Sequence, residues 1–327
     1  MDLLTDITSL FSDFANPKKR VFVGYLVLSV VIALIWLVVL RKTPIRKALS
    51  SVFDRKVFFS GSSIADAKIF VINRIFTLFI SPLLLTQVVI ATALYMLLLQ
   101  IEVIPWGTLS GLSQTTVVIA FSIAMFLADD FTKYILHRWM HRWPMLWSIH
   151  KVHHSATTMT PVTVYRVHPL EGILYASRNA IAQGSVISLF YYMFGDRVDL
   201  VTILGVNFLV FLFHVTGSNL RHSHISIRYW PWLERFLISP AQHQLHHSIA
   251  EEHFDKNFGA ALALWDWLFG SLHLSEKPET RLVFGLDASE NSSDTDLKTL
   301  YLAPLAEIAS MIITPVRTVL QRFWRST

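Results

Sequence analysis

All fourteen histidines of the chain lie between His137 and His273, and eight of them fall into three tight patterns. His137 and His141 form HxxxH, His150, His153 and His154 form HxxHH, and His243, His246 and His247 form HxxHH again. Packing alone does not ask for one five-residue histidine pattern twice. On a helix, residues three or four apart share a face, so His137 with His141, and His150 with His153 or His154, can aim their imidazoles at one point. A chain that brings these donors to a common centre must fold the segments around His141, His154 and His247 back onto one another.

Neutral imidazole is a borderline-soft nitrogen donor suited to iron, zinc, copper or nickel. Zinc usually accepts four ligands and octahedral ions six, so eight clustered donors imply two ions. No HExxH is present, which removes the glutamate that activates a zinc-bound water in the familiar hydrolases. The Glu-x-x-His pairs of soluble di-metal carboxylate bundles are missing from the clusters as well.

Composition sets the surroundings. The chain is 53% hydrophobic and only 16% charged, the balance of an integral membrane protein. Val21 to Leu40 is a charge-free, mostly apolar run flanked by Lys18, Lys19 and Arg20 on one side and Arg41 and Lys42 on the other. It is too long for a cleaved signal peptide and reads as a retained first span. Ile75–Leu99, containing Pro82, and Thr115–Leu136 read as two more. Gly172–Phe194 and Val198–Phe213 read as the two arms of a tight helical hairpin that need not cross fully. Beyond Phe213, Pro231 and Pro240 break a more polar stretch into short helices. The tail from Leu297, interrupted by Pro304 and Pro315 and carrying Arg317, Arg322 and Arg325, is expected to be an interfacial basic helix. Trp139, Trp143, Trp147, Trp230 and Trp232 read as an interfacial belt.

Basic residues give an orientation. Arg41, Lys42, Arg46, Lys47, Arg55, Lys56 and Lys68 follow the first span, whereas Glu102 to Gln114 has no basic residue. The first segment is therefore expected in the cytoplasm, and the third span then delivers His137 to the cytoplasmic face. A hairpin later in the chain returns His243 to His247 to the same side. The expected fold is an all-α integral membrane protein, a multi-span helical bundle with a histidine-rich di-metal domain at its cytoplasmic face.

The chain has no cysteine, which excludes disulfides, thiolate-ligated haem and cysteine-ligated iron–sulfur clusters within it. No GxGxxG follows a strand, so any electrons must come from another protein. The net charge of +5 favours an acidic donor or an anionic membrane surface. Basic residues flank apolar spans and form no patterned stripe, which argues against nucleic acid.

The ordered set DFTKYILHRWMH, LWSIHKVHHS, HPLEG, SPAQHQLHHS and NFGAALALWDWLFGSLH, from Asp130 to His273, resembles the fatty acid hydroxylase superfamily of sterol desaturases and methylsterol oxidases. The resemblance implies a membrane enzyme with a histidine-ligated di-iron centre that activates O2 to hydroxylate or desaturate a C–H bond of a lipid such as a fatty acyl chain or sterol. It also implies an external donor, either a cytochrome b5-like protein or a ferredoxin with its reductase. The chain then divides into N-terminal spans over residues 1–114, the catalytic domain over 115–275 and a tail over 276–327.

The expected ligands are His137, His141, His150, His153, His154, His243, His246 and His247, joined by His168 of HPLEG and by His214. Family members usually carry a histidine just before a Ser-Asn pair. Here Gly217 stands there, and His214 lies on the same helix face, with His222 and His224 as competitors. Asp130, seven residues before His137, is expected to orient an imidazole from the same face. Asn257 and Asp266 are read as holding histidine N–H groups or as turn and cap residues. His253 and His273 are read as structural.

Two non-redox alternatives stand beside this reading. A metal transporter places ligands near the bilayer midplane, but here they follow span ends. A zinc hydrolase needs an acid/base near the metal, and only Glu171, Glu251 and Glu252 are close in sequence.

Overall fold

The computed structural model describes residues 12–325 apart from 103, 200, 204–205, 276–281 and 288–292. Four segments are long and apolar enough to cross a membrane: Val23–Leu40, Gly61–Ile101, Gln114–Arg142 and Leu297–Thr314. The first is α1 (Val23–Ile35) continued by a wider turn over Trp36–Leu40. After two short helices, α2 (Ile45–Val52) and α3 (Arg55–Phe58), the second comprises α4 (Gly61–Ile80) and α5 (Gln87–Ile101). Pro82 does more than kink this segment: it ends α4 in a tight turn over Ser81–Leu83, and the Thr86 hydroxyl restarts the helix by accepting from Val89 N. The outward faces are apolar, with Val27, Val39, Phe79, Leu83 and Val88 exposed, as contact with hydrocarbon requires.

The third segment is a single helix, α6 (Gln114–Arg142), capped by the Ser113 hydroxyl accepting from Thr116 N. It stops because Pro144 opens the next helix, α7 (Pro144–His154), and a proline forces the residue before it, Trp143, into extended backbone. One residue thus turns the corner between the two helices that carry the first five clustered histidines.

The first hairpin arm is present as α8 (Pro169–Phe194), packed along α5. Its close approach depends on Gly184, where a Cβ would stand 2.8 Å from the Ile90 side chain and 2.9 Å from the Gln87 carbonyl. The expected second arm over Val198–Phe213 is not one helix. Gly195, at φ +66, ends α8, and the described part of the chain forms an antiparallel pair, β1 (Thr202–Ile203) with β2 (Val206–Asn207). β-Branched Val198, Val201, Thr202, Ile203 and Val206 favour extended backbone. Helix begins only at α9 (Phe208–Val215), where the Asn207 side chain accepts from Leu209 N at 2.9 Å. At about 1.5 Å per residue, this eight-residue helix cannot cross a bilayer.

Short turns then lead to α10 (Pro240–His246), started by a reciprocal Ser239–Gln242 capping box, and to α11 (Leu264–Leu268). The tail is also corrected. It forms one helix, α12 (Leu297–Arg325), unbroken at Pro304 and Pro315, whose first part is of spanning length. It packs on α7, with Leu300 buried against Val152 and Ile69 and with Lys151 Nζ 2.8 Å from Glu307 Oε1. The side chains of Arg317, Arg322 and Arg325 lie outside the described residues. The belt tryptophans pair on the surface: Trp139 stacks on Trp143, and Trp230 on Trp232.

Candidate metal centre

Helix α6 projects His137 and His141 from one face, α7 projects His150, His153 and His154, and α10 with its last turn supplies His243, His246 and His247. They converge in two groups. His137, His141, His150, His154 and His246 form one; His153, His222, His243 and His247 form the other, with the potential ligand atoms of each group within 4.8 Å of one another. On α7, the i and i+4 residues His150 and His154 serve the first group, while His153 turns to the second. The ninth member, His222, comes from the 3-10 turn Ser218–His222.

The hydrogen bonds of the far ring nitrogens fix the tautomers. His137 Nδ1 lies 2.8 Å from the Phe258 carbonyl, and His246 Nδ1 lies 2.7 Å from the Lys256 carbonyl. His153 Nδ1 faces the Arg166 carbonyl at 3.2 Å, and His150 Nδ1 faces Glu171 Oε1 at 2.9 Å. A carbonyl only accepts, so Nδ1 of His137, His246 and His153 carries the proton, and in a neutral ring Nε2 is then a bare lone pair. Yet His137 Nε2 and His246 Nε2 are 3.0 Å apart. Two lone pairs at that distance repel unless a cation lies between them. In the second group, His222 Nε2 is 3.1 Å from His153 Nε2 and 3.0 Å from His243 Nε2. Ligands at right angles around an ion with bonds of about 2.1 Å stand about 3.0 Å apart, so the spacing fits a metal. Nε2 of His141, His150 and His154 is also buried with no hydrogen-bond partner.

Charge agrees with this. Burial, and after it the neighbouring imidazoles, hold His150, His154, His222, His243, His246 and His247 well below the usual histidine range and His153 at about 3. These rings are neutral at pH 7, the state in which imidazole binds metal.

The other expected residues lie elsewhere. His168 caps α8, its Nδ1 accepting from Leu170 N at 3.2 Å and its Nε2 3.1 Å from the Tyr301 carbonyl. His214 packs on Tyr25 and meets the Ser218 hydroxyl at 3.1 Å. Neither joins a group. His224 is likewise outside, bonded to the Ser51 carbonyl at 2.7 Å, so of the competitors it is His222 that sits among the rings. His253 and His273 face each other away from both groups.

Asp130 touches no imidazole, which corrects the role expected for it. Seven residues along a helix is about 10 Å, too far for its carboxylate to reach His137. It accepts instead from Ala261 N at 2.7 Å, Leu262 N at 3.1 Å and Trp265 Nε1 at 2.9 Å. Asp266 accepts from Phe258 N and Gly259 N, and Asn257 accepts from His273 N. All three clamp the loop whose Phe258 carbonyl orients His137. The carboxylate that does meet an imidazole is Glu171, which sequence reasoning noted only for its proximity.

A cavity of about 1140 Å³ opens onto His137, His150, His153, His222 and His243. Its walls include Phe121, Met125, Phe126, Tyr165, Tyr175 and Phe213. Phe131 lies outside these walls and packs on Trp265 and Phe269. Arg166 and Arg178 are engaged internally with Asp66 at 2.8 Å and Asp129 at 2.9 Å. A smaller cavity of about 340 Å³ reaches the histidines from the other side, at His141, His154, His246 and His247. The cations lining the large cavity are Lys18, Lys19, Arg20, Lys133 and Arg221; burial pulls Arg20 down to about 10 and Arg221 to about 9.

Residues 122–271 match the family model described as fatty acid hydroxylase. The ornithine lipid hydroxylase OlsE of Rhizobium tropici is 26% identical over 164 residues, 49% of this chain and 44% of that protein. Human alkylglycerol monooxygenase is 27% identical over 161 residues, 49% of this chain and 32% of that protein. The Delta(7)-sterol 5(6)-desaturase of Eremothecium gossypii is 31% identical over 147 residues, 44% of this chain and 35% of that protein. The chain thus spans less than half the length of each of these relatives. No solved structure matches it. With both HxxHH patterns and the HxxxH inside the matched stretch, residues 122–271 are similar to the fatty acid hydroxylase superfamily.

Proposed function

We propose that the chain is a membrane-bound oxygenase that holds two iron ions and uses O2 to hydroxylate, or desaturate, a C–H bond of a lipid. The observation that carries this reading is the pair of histidine groups, nine neutral donors in all, opening onto a long and largely apolar cavity. The printed names of the relatives, a hydroxylase, a monooxygenase and a desaturase of lipids, favour iron over redox-silent zinc.

His137, His141, His150, His154 and His246 would hold one ion, and His153, His222, His243 and His247 the other. Bound there, a pair of irons supplies the redox equivalents for reducing O2 and oxidising a C–H bond. The protein's own part is positional. The Phe258, Lys256 and Arg166 carbonyls keep Nδ1 protonated and Nε2 free, and Glu171 fixes the His150 ring by its contact with Nδ1. Phe121, Met125 and Phe126 offer an alkyl chain an apolar path and keep water from the centre.

The distribution of lysine and arginine supports a cytoplasmic location for the centre, within reach of an external electron donor. Such a donor, a cytochrome b5-like protein or a ferredoxin with its reductase, would meet a chain of net charge +5. Hydroxylation is favoured over desaturation because it needs only one hydrogen abstraction.

The test is metal analysis of anaerobically purified protein combined with lipid mass spectrometry. Two irons per chain, oxidised on exposure to air, and a lipid heavier by one oxygen that vanishes in His154→Ala support the reading. One redox-silent zinc in protein reloaded with ferrous iron, with an unchanged lipidome, would overturn it.

A further inference from the structure

Two guanidinium groups line the large cavity beside the second histidine group, and neither has a carboxylate partner among the described residues. Arg221 is buried at 3% exposure, lies 5.2 Å from the Phe213 ring and donates through one Nη to the Gly259 carbonyl at 3.2 Å. Arg20 donates through one Nη to the Ser218 carbonyl. The Nε of each is buried with no partner. Arg166 and Arg178 have Asp66 and Asp129 against them, but no carboxylate among the described residues forms an ion pair with Arg20 or Arg221. The nearest acids in electrostatic range of Arg221, Asp130 and Asp266, are occupied by main-chain N–H groups. A buried guanidinium within electrostatic range of a second, part-buried one is costly, and the remedy is an anion that both can reach.

We propose that Arg20 and Arg221 are the anion-binding end of this cavity and seat the carboxylate or phosphate head of an amphiphile whose tail runs past Phe213 toward Phe126 and Phe121. This rests on the reading of the chain as a lipid oxidase and narrows its substrate class to anionic lipids. Guanidinium presents a planar fork of donors that matches both anions, and a partnerless Nε completes that fork. Position along the chain adds a second consequence. Arg221 directly precedes His222, and the Gly259 carbonyl that it holds follows Phe258, the residue that orients His137. A head group seated there is next to the histidines, so the carbons offered for oxidation are those nearest the head and not the end of the tail.

The experiment is binding to the full-length, metal-loaded protein in an uncharged detergent, by titration calorimetry, of dodecyl phosphate, dodecanoate, dodecanol and inorganic phosphate. One or both anionic amphiphiles should bind on the order of tenfold or more tighter than dodecanol, and the better of the two identifies the head. Arg20→Gln and Arg221→Gln should each remove most of that preference at unchanged metal content. Where Arg221→Gln fails to fold, Arg20→Gln, at the cavity margin, carries the test. Dodecanol binding as tightly as the anions, or a preference that survives in Arg20→Gln, overturns the proposal. Inorganic phosphate binding as tightly as dodecyl phosphate overturns the amphiphile. Turnover is not read, so a protein that prefers anionic amphiphiles but oxidises no lipid refutes the oxidase reading alone.

Discussion

The carboxylate of Asp130 lies 2.7 Å from the main-chain nitrogen of Ala261, a bond that ties a membrane-length helix to a loop 131 residues away. Because Asp130 takes three donors and no imidazole, Asp130→Asn should act through stability. The new amide N–H₂ group would face a main-chain donor, a loss of about 1–3 kcal/mol for a buried unsatisfied group. Thermal unfolding should shift down, and metal should be lost in proportion through the Phe258 carbonyl. Metal loss at an unchanged melting temperature would restore the imidazole-orienting role.

Ligand assignment can be read by metal content. His222→Ala should lower bound metal by about one ion per chain, as should His243→Ala, whereas His214→Ala, His168→Ala and His273→Ala should retain both ions. Plasma emission spectroscopy on purified variants decides the matter. Full occupancy in His222→Ala would remove it from the second group.

Acid should destabilise the metal-free protein. Histidines in the unfolded chain titrate near 6.5, while His153 is held at about 3 and His222, His243 and His247 well below 6.5 in the fold. Below pH 6.5 the unfolded state therefore binds more protons, and stability decreases as the pH is lowered. It is fully present above that pH and is lost from about 6.5 down toward 3. Melting temperature in detergent should be flat above pH 7 and drop below 6.5. A rise on acidification would contradict the burial of neutral rings.

Gly184→Val should separate α5 from α8. The added Cβ meets Ile90 at 2.8 Å and cannot be relieved by a flexible side chain end, since the Gln87 carbonyl is as close. Overpacking of this kind costs about 1–3 kcal/mol. A lower melting temperature with normal metal content per folded molecule is expected, because the histidines lie on other helices.

The orientation proposed from charge is open to labelling, since the native chain has no cysteine. Ser155 is buried and unsuitable as a reporter, whereas Gly111 and Glu252 are exposed. In intact cells Gly111→Cys should react with an impermeant thiol reagent, and Glu252→Cys only after lysis. The reverse pattern would put the centre on the outer face.

Periodic features were legible in the sequence. His137 and His141, or His150 and His154, are one helical turn apart, and turn spacing alone brings them together. His222 has no such period, because it sits in a tight turn whose position depends on α9 ending at Val215. The acids that occupy Arg166 and Arg178 were equally hidden: they arrive from α4 and α6, 100 and 49 residues away. The run from Val198 to Phe213 was misread for a different reason. Short apolar stretches rich in β-branched residues suit strand and helix alike by hydrophobicity.

Helix α6 has no break between Phe121, on the cavity wall, and His137, in the first histidine group. Sixteen residues at about 1.5 Å each make this a straight stretch of about 24 Å. On the proposed reading it works as a gauge: the depth of the cavity beneath the histidine groups is set by the hydrogen-bonded rise of the helix. Chains that fit this depth can be housed whole, and longer ones must leave their ends in the bilayer. If the substrate is a lipid as proposed, its tail length, independently of head charge, becomes a selectable property.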